Sequence, residues 1–264
     1  MKKNELTDVL KESVELARDV GRVLKELSRR GVESVIAAPQ VETEEPEAPA
    51  PVPAAELEVV IPPRDLGKEA RLAHLEKQAL ACRRCRLEAG RKNVAFGTGN
   101  ANARVIFIGE GPGAEEDRTG IPFVGRAGQL LNRMLASIGL RREDVYIANI
   151  VKCRPPGNRD PLPEEVAACR PYLEAQFDTI APSIVVSLGR PSSQSLLNVK
   201  TSLSRLRTSL HKFRDTDLIV TYHPAYLLRN PVKKREAWAD LMLLVDLLLK
   251  KKIIPDLPDA WWRT

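Results

Sequence analysis

The sequence is poor in aromatic residues, 5% of 264 positions, and holds only four cysteines and three methionines. It has no apolar run approaching the roughly 20 residues that a membrane-crossing helix needs. Its most apolar stretch, Leu241 to Leu249, is interrupted by Asp246 and ends at Lys250. The opening residues Met1-Lys2-Lys3-Asn4-Glu5 lead into charged amphipathic sequence and not into an apolar signal core. These absences argue against a helical membrane protein and a secreted one, and the expectation is a cytoplasmic protein. Thiols stay reduced there, so four cysteines read more readily as metal ligands than as disulfides. What is present is an ordinary globular balance, 43% hydrophobic and 29% charged, with a formal net charge of +6. A mildly basic chain suits a polyanionic partner without requiring one.

Three regions follow one another. In residues 1–36, Leu10, Val14, Leu16, Val20, Val23, Leu24 and Leu27 recur at helical spacing, with Thr7 or Asp8 as a cap and Gly31 as a stop. This amphipathic segment reads as a packing or oligomerisation helix in preference to a DNA contact. Residues 37–64 are rich in Pro, Ala and Glu, as in Glu44-Glu45-Pro46-Glu47-Ala48-Pro49, and read as a flexible linker. From residue 65 to 264, β-rich runs alternate with helical patterns. Strands are expected at Arg104–Ile108, Val145–Ile150, Ser183–Leu188 and Leu218–Tyr222. Helices are expected near Arg71–Ala81, Ala127–Ile138, Pro163–Phe177 and Ala237–Lys251. That alternation predicts an α/β domain with a mainly parallel sheet covered on both faces and chemistry at the C-terminal strand ends.

Cys82-Arg83-Arg84-Cys85 opens this domain, and Cys153 and Cys169 follow after a long interval. A C-x2-C pair places two thiolates within reach of one metal, and two more cysteines complete a four-thiolate site. The spacing does not decide between zinc and an iron–sulfur cluster, since both accept four thiolates. A redox C-x2-C would sit at the start of a helix after a strand, and this one precedes the first expected strand.

Two motifs fall at strand ends. Gly109-Glu110-Gly111-Pro112-Gly113 follows the first; its glycines let backbone approach a ligand, and Pro112 stiffens the turn. No G-K-[ST] follows, so it is no phosphate loop. Glu110 is placed for general-base or electrostatic work. Tyr222-His223-Pro224-Ala225-Tyr226-Leu227 follows the last strand, where His223 can donate to a developing anion or simply cap a helix.

These two motifs, together with Gly120-Ile121-Pro122-Phe123-Val124-Gly125-Arg126-Ala127-Gly128-Gln129 and Asn149-Ile150-Val151-Lys152-Cys153-Arg154-Pro155-Pro156-Gly157-Asn158-Arg159, closely resemble the family four, iron–sulfur-containing uracil-DNA glycosylases. The resemblance runs from about Leu75 to Leu249. It implies a three-layer α/β/α sandwich around a central four-stranded, mainly parallel sheet, and a 4Fe-4S cluster on Cys82, Cys85, Cys153 and Cys169, with zinc as the alternative. Glu110 and His223 are the implied catalytic residues. Gly109, Gly111, Phe123, Asn149 and His223 are the implied uracil contacts, Phe123 by stacking and Asn149 by reading the base edge. Leu227 stands where related enzymes push a side chain into the DNA stack. Ala114 departs from some members that carry an acid after the last glycine, which leaves the roles of Glu115 and Glu116 open.

The expected function is removal of uracil from DNA in base excision repair. Rival readings are a glycosylase of broader specificity for deaminated bases, an accessory domain of a replication enzyme, and a metal-containing DNA-binding module without catalysis. The expected partner is uracil-containing DNA, with the N-terminal helix as a place for a protein partner and a monomer as the working state. Arg154, Arg159, Lys200, Arg205, Arg207, Lys212, Arg229 and Lys233 are the candidate phosphate contacts.

Overall fold

The computed structural model describes residues 59–254. The expected N-terminal helix and nearly all of the linker lie outside the described residues. Within them the element order is α1 (Lys68–Leu80), β1 (Thr98–Gly99), β2 (Val105–Gly109), α2 (Ala114–Thr119), α3 (Arg126–Ala136), β3 (Tyr146–Asn149), α4 (Pro163–Ile180), β4 (Ile184–Leu188), α5 (Arg190–Leu197), α6 (Leu203–Leu206), β5 (Leu210–Phe213), β6 (Thr216–Thr221), α7 (Pro224–Arg229) and α8 (Lys234–Lys250). Among the described residues, no helix is long and apolar enough to cross a membrane.

The strands form one six-stranded sheet in the order β1-β3-β2-β4-β6-β5. The four inner strands are parallel, and β1 and β5 pair antiparallel at the two edges. The sheet is therefore six-stranded and mixed, where the sequence led to an expectation of four central strands. The two edge strands escaped that reading because β1 is two residues long and β5, Leu-His-Lys-Phe, is half polar. Short, charged edges also resist pairing with other chains.

The inner strands are buried throughout: β2 and β4 read Val-Ile-Phe-Ile-Gly and Ile-Val-Val-Ser-Leu, with every residue inside. Strands covered on both faces need no polar alternation. Alternate side chains still divide between two cores, as the two-residue strand period dictates. Ile106, Ile108, Val185, Leu218 and Val220 pack with Leu72 and Leu75 of α1 and with Tyr172, Leu173 and Phe177 of α4. Val105, Phe107, Ile147, Val186 and Ile219 pack with Leu131 and Leu135 of α3 and with Leu241, Leu244 and Leu248 of α8. The result is three layers with the sheet in the middle.

The chain leaves β2 toward β3 on one side and leaves β4 toward β6 on the other. Loops after adjacent parallel strands thus diverge and open a crevice at their C-terminal ends, the usual ligand position in such sheets.

Candidate active site and cysteine site

One cleft of about 700 Å³ opens at that edge. Glu110 after β2, Asn149 at the end of β3, Gly189 and Arg190 after β4 and His223 after β6 all line it, with Phe123 from the α2–α3 loop. The expected residues Glu110, Gly111, Phe123, Asn149 and His223 are brought together there. Gly109 is not on the lining but makes it possible. A Cβ at Gly109 would stand 2.5 Å from Asn149 Oδ1 and 2.6 Å from Phe123 Cζ, so a bare backbone lets both side chains approach the strand end.

Asn149 is 1% exposed. Its Oδ1 is buried and has no hydrogen-bond partner among the described residues. A buried acceptor left unpaired costs free energy, on the order of 1–3 kcal/mol, unless a ligand supplies the donor. The backbone behind it is held firmly: the Asn149 carbonyl accepts from Lys152 Nζ at 2.9 Å, and the same ammonium donates to Gln176 Oε1 at 2.5 Å.

Phe123 is buried and lies 5.4 Å from His223 between ring centroids, the planes tilted by 32°. Its φ of 54° is left-handed, an uncommon and strained state for an aromatic residue. Two side chains hold it there. Arg142 donates to the Phe123 carbonyl at 2.9 Å and to the Pro122 carbonyl. Glu116, largely buried, accepts from Val124 N and Gly125 N at 2.9 Å each with one oxygen and from Gly113 N at 3.1 Å with the other. Glu116 thereby staples the glycine turn to the Phe123 loop, while Glu115 pairs with Arg118 at the surface.

His223 caps α7, its Nδ1 accepting from Ala225 N at 3.1 Å. An accepting Nδ1 places the proton of the neutral ring on Nε2. Burial first, then the Arg229 charge, push its pKa down to about 4. The ring is therefore a neutral donor at physiological pH. Glu110 moves the opposite way: burial and the neighbouring Asp160 carboxylate push it up to about 7.

Leu227 corrects an expectation. It is 1% exposed and packed in the core with Phe107 and Leu241, so it serves the fold and cannot enter a DNA stack without leaving that core. Val232, at 88%, is an exposed apolar side chain next to the cleft-lining Lys233. Arg207 is a second correction among the phosphate candidates. It is buried, bidentate to Asp240 at 2.7 and 3.0 Å, paired with Glu236 at 2.7 Å, and stacked 4.1 Å over the Tyr222 ring. Arg159 is partly committed to buried Glu165 at 2.7 Å and Lys212 to Asp217 at 2.6 Å. Arg159, Arg229 and Lys233 line the cleft. Sequence reasoning missed Asp160 and Arg190 on the cleft wall and Arg142 behind it, and left open the role of Glu116, which also lines the cleft. Each is one charged residue with no spacing pattern to mark it.

Cys82, Cys85, Cys153 and Cys169 line a second, smaller cavity between α1 and α4, together with Arg84, Arg91 and Lys152. Among the described residues, no group of three metal-ligating side chains is set to hold a single metal ion. The surroundings nevertheless fit an anionic group. Arg91 Nη1 donates to Cys153 Sγ and Lys152 N to Cys169 Sγ, both at 3.3 Å. Arg84 Nε and Nη1 are buried there without a partner. Burial pushes the Cys153 thiol up to about 11 and the Cys169 thiol up to about 12. Without metal, Cys153 and Cys169 would stay protonated, and a bound metal would make them thiolates.

The sequence profile of the Uracil DNA glycosylase superfamily matches residues 96–242. A type-4 uracil-DNA glycosylase of Archaeoglobus fulgidus is 43% identical over 189 residues, 69% of this chain and 95% of the relative. One of Thermotoga maritima is 50% identical over 151 residues, 56% and 79% of the two chains. One of Saccharolobus solfataricus is 44% identical over 184 residues, 66% and 85%.

Proposed function

The chain belongs to the type-4 uracil-DNA glycosylases of the uracil-DNA glycosylase superfamily, and we propose that it removes uracil from DNA through the cleft built by Glu110, Phe123, Asn149 and His223. The unpartnered, buried Oδ1 of Asn149, beside Phe123 and His223, is the observation that carries this reading.

A base paired in duplex DNA is out of reach and must be turned out of the stack, at a cost of a few kcal/mol. The cleft, at about 700 Å³, has room for a pyrimidine with its sugar and a flanking phosphate. Phe123 offers a face to the extruded ring, and stacking of a base on an aromatic contributes roughly 1–3 kcal/mol. Asn149 Oδ1 accepts from uracil N3–H, and its amide nitrogen donates to O4. Cytosine has an amine in place of O4 and no proton on N3, so both contacts are lost and the buried amide is left unpaired. The bond from Lys152 to the Asn149 carbonyl fixes the backbone from which that amide projects.

Cleavage of the N-glycosidic bond leaves negative charge on the base and positive character on the sugar. His223, neutral and with its proton on Nε2, donates to O2 as that charge grows; one preorganised donor of this kind is worth about 3–4 kcal/mol. Glu110 serves the opposite charge, holding water or facing the sugar cation. Arg159, Arg229 and Lys233 on the cleft wall receive phosphates.

Cys82, Cys85, Cys153 and Cys169 are proposed to hold a 4Fe-4S cluster. The cationic lining, with Arg91 on Cys153 Sγ and Arg84 buried without a hydrogen-bond partner, suits the negative charge of a four-thiolate group. Hydrolysis transfers no electrons, so the cluster when bound supplies structure, fixing the segment between Asn149 and α4.

The test is a labelled oligonucleotide carrying one uracil, incubated with the protein and then cleaved by alkali at abasic sites. Wild type is expected to give uracil-dependent cleavage, and Asn149→Ala and His223→Ala to lose about 10²–10³-fold in rate. An intact protein that spares uracil but removes hypoxanthine would move the reading to a broader deaminated-base glycosylase.

A further inference from the structure

Glu110 does not stand alone on the cleft wall. Asp160, from the β3–α4 loop, lines the same cleft, and the two carboxyls lie within hydrogen-bonding reach of each other. Arg190, the first residue of α5, holds Asp160 from the far side at 2.5 Å. Glu110 leaves β2 and Arg190 follows β4, the two adjacent strands whose connections diverge, so the fold itself brings the three together. A neighbouring carboxylate disfavours ionisation of Glu110, and a nearby guanidinium favours it.

We propose that Asp160, anchored by Arg190, is a positioning residue for Glu110: it sets its carboxyl beside that of Glu110 on the cleft wall and, with the Arg190 guanidinium, fixes the charge that Glu110 faces during the reaction. This rests on the reading of Glu110 as a catalytic residue. The other charged groups around Glu110 are already engaged or distant in role. Glu116 is committed to three backbone N–H groups, and Arg159 to Glu165. His223 is neutral, and Arg229 and Lys233 line the outer wall. Asp160 raises the Glu110 pKa, second only to burial, and Arg190 opposes it. Its value of about 7 puts the titration in the working range. Loss of its proton as the pH rises leaves Glu110 ionised.

The measurement is the single-turnover rate of uracil excision against pH, which keeps product release out of the profile. Wild type should show a rising limb near neutrality. Asp160→Asn removes the neighbouring charge, and its limb should move to lower pH by about one unit. Arg190→Met removes the compensating cation, and its limb should move to higher pH. Both side chains are more than half exposed, 57% and 55%, so neither change empties a core. A purely structural role for Asp160 would lower the rate without moving the limb. Limbs that stay at the wild-type position in both variants, or move the same way, overturn the proposal. Glu110→Gln separates the two levels. If it keeps wild-type rate and limb, Glu110 is not catalytic and the underlying reading fails; if it abolishes the limb while the other variants leave theirs in place, only the pairing fails.

Discussion

Glu110 and His223 line one cleft, and burial alters their protonation in opposite senses. Glu110 is raised to about 7, by burial and then Asp160. Between its ordinary range and 7 the folded chain keeps a proton that the unfolded chain has lost, so Glu110 lowers stability as the pH rises. His223 is lowered to about 4, by burial and then Arg229. Between 4 and its ordinary value the unfolded chain takes a proton that the folded chain refuses, so His223 lowers stability as the pH falls. Glu110→Gln should therefore stabilise the protein more at about pH 8 than at pH 5, and His223→Gln more at pH 5 than at pH 8. Urea unfolding followed by circular dichroism at the two pH values checks this. Parallel responses of both variants would show that the cleft does not act on the two groups as described. Strained Phe123 and unpartnered Asn149 belong to the same pattern of local cost at a binding site.

At the scale of elements, α7 is six residues long and cannot hold its own position by helix propensity. Leu227 anchors it to the core, and His223 caps its first turn. The helix thus seats the imidazole from below. Leu227→Ala should lower stability by about 2–5 kcal/mol, the cost of a buried leucine and the cavity it leaves. The ratio of excision from duplex to excision from single-stranded DNA should stay the same for the folded fraction. A loss confined to duplex substrate, with normal unfolding, would instead restore the role of a side chain that enters the stack. The loop carrying Phe123 is held by the same logic, through Arg142 on its carbonyls and Glu116 on its amides.

Across the whole molecule, the cysteine cavity and the cleft share one segment. Lys152 joins them: its ammonium holds the Asn149 carbonyl, its amide donates to Cys169 Sγ, and Cys153 is its neighbour. Cys82 and Cys85 come from far earlier in the chain. A cluster on the four would tie the end of α1, the exit of β3 and the body of α4 into one unit. Oxidative or chelating removal should abolish the broad visible absorption and lower the melting temperature. It should also open residues 82–92 and 153–162 to protease, and excision should fall with them. Release of zinc without any visible absorption would assign the site to the other metal.

Much of this protein was legible in its residues. Runs such as Val-Ile-Phe-Ile-Gly and Ile-Val-Val-Ser-Leu mark buried parallel strands, because only strands covered on both faces lack polar alternation. Glycine turns and a histidine at strand ends mark the edge where the cleft opens, and the four cysteines of the sequence meet around one cavity. Tertiary structure decided the rest, because exposure and pairing depend on contacts between segments far apart in the chain. Leu227 looks free in sequence and is buried in space. Arg207 looks like a phosphate ligand, yet Asp240 and Glu236 consume its guanidinium. Asp160 and Arg190 carry no motif and meet Glu110 only because diverging connections after β2 and β4 bring three loops to one crevice.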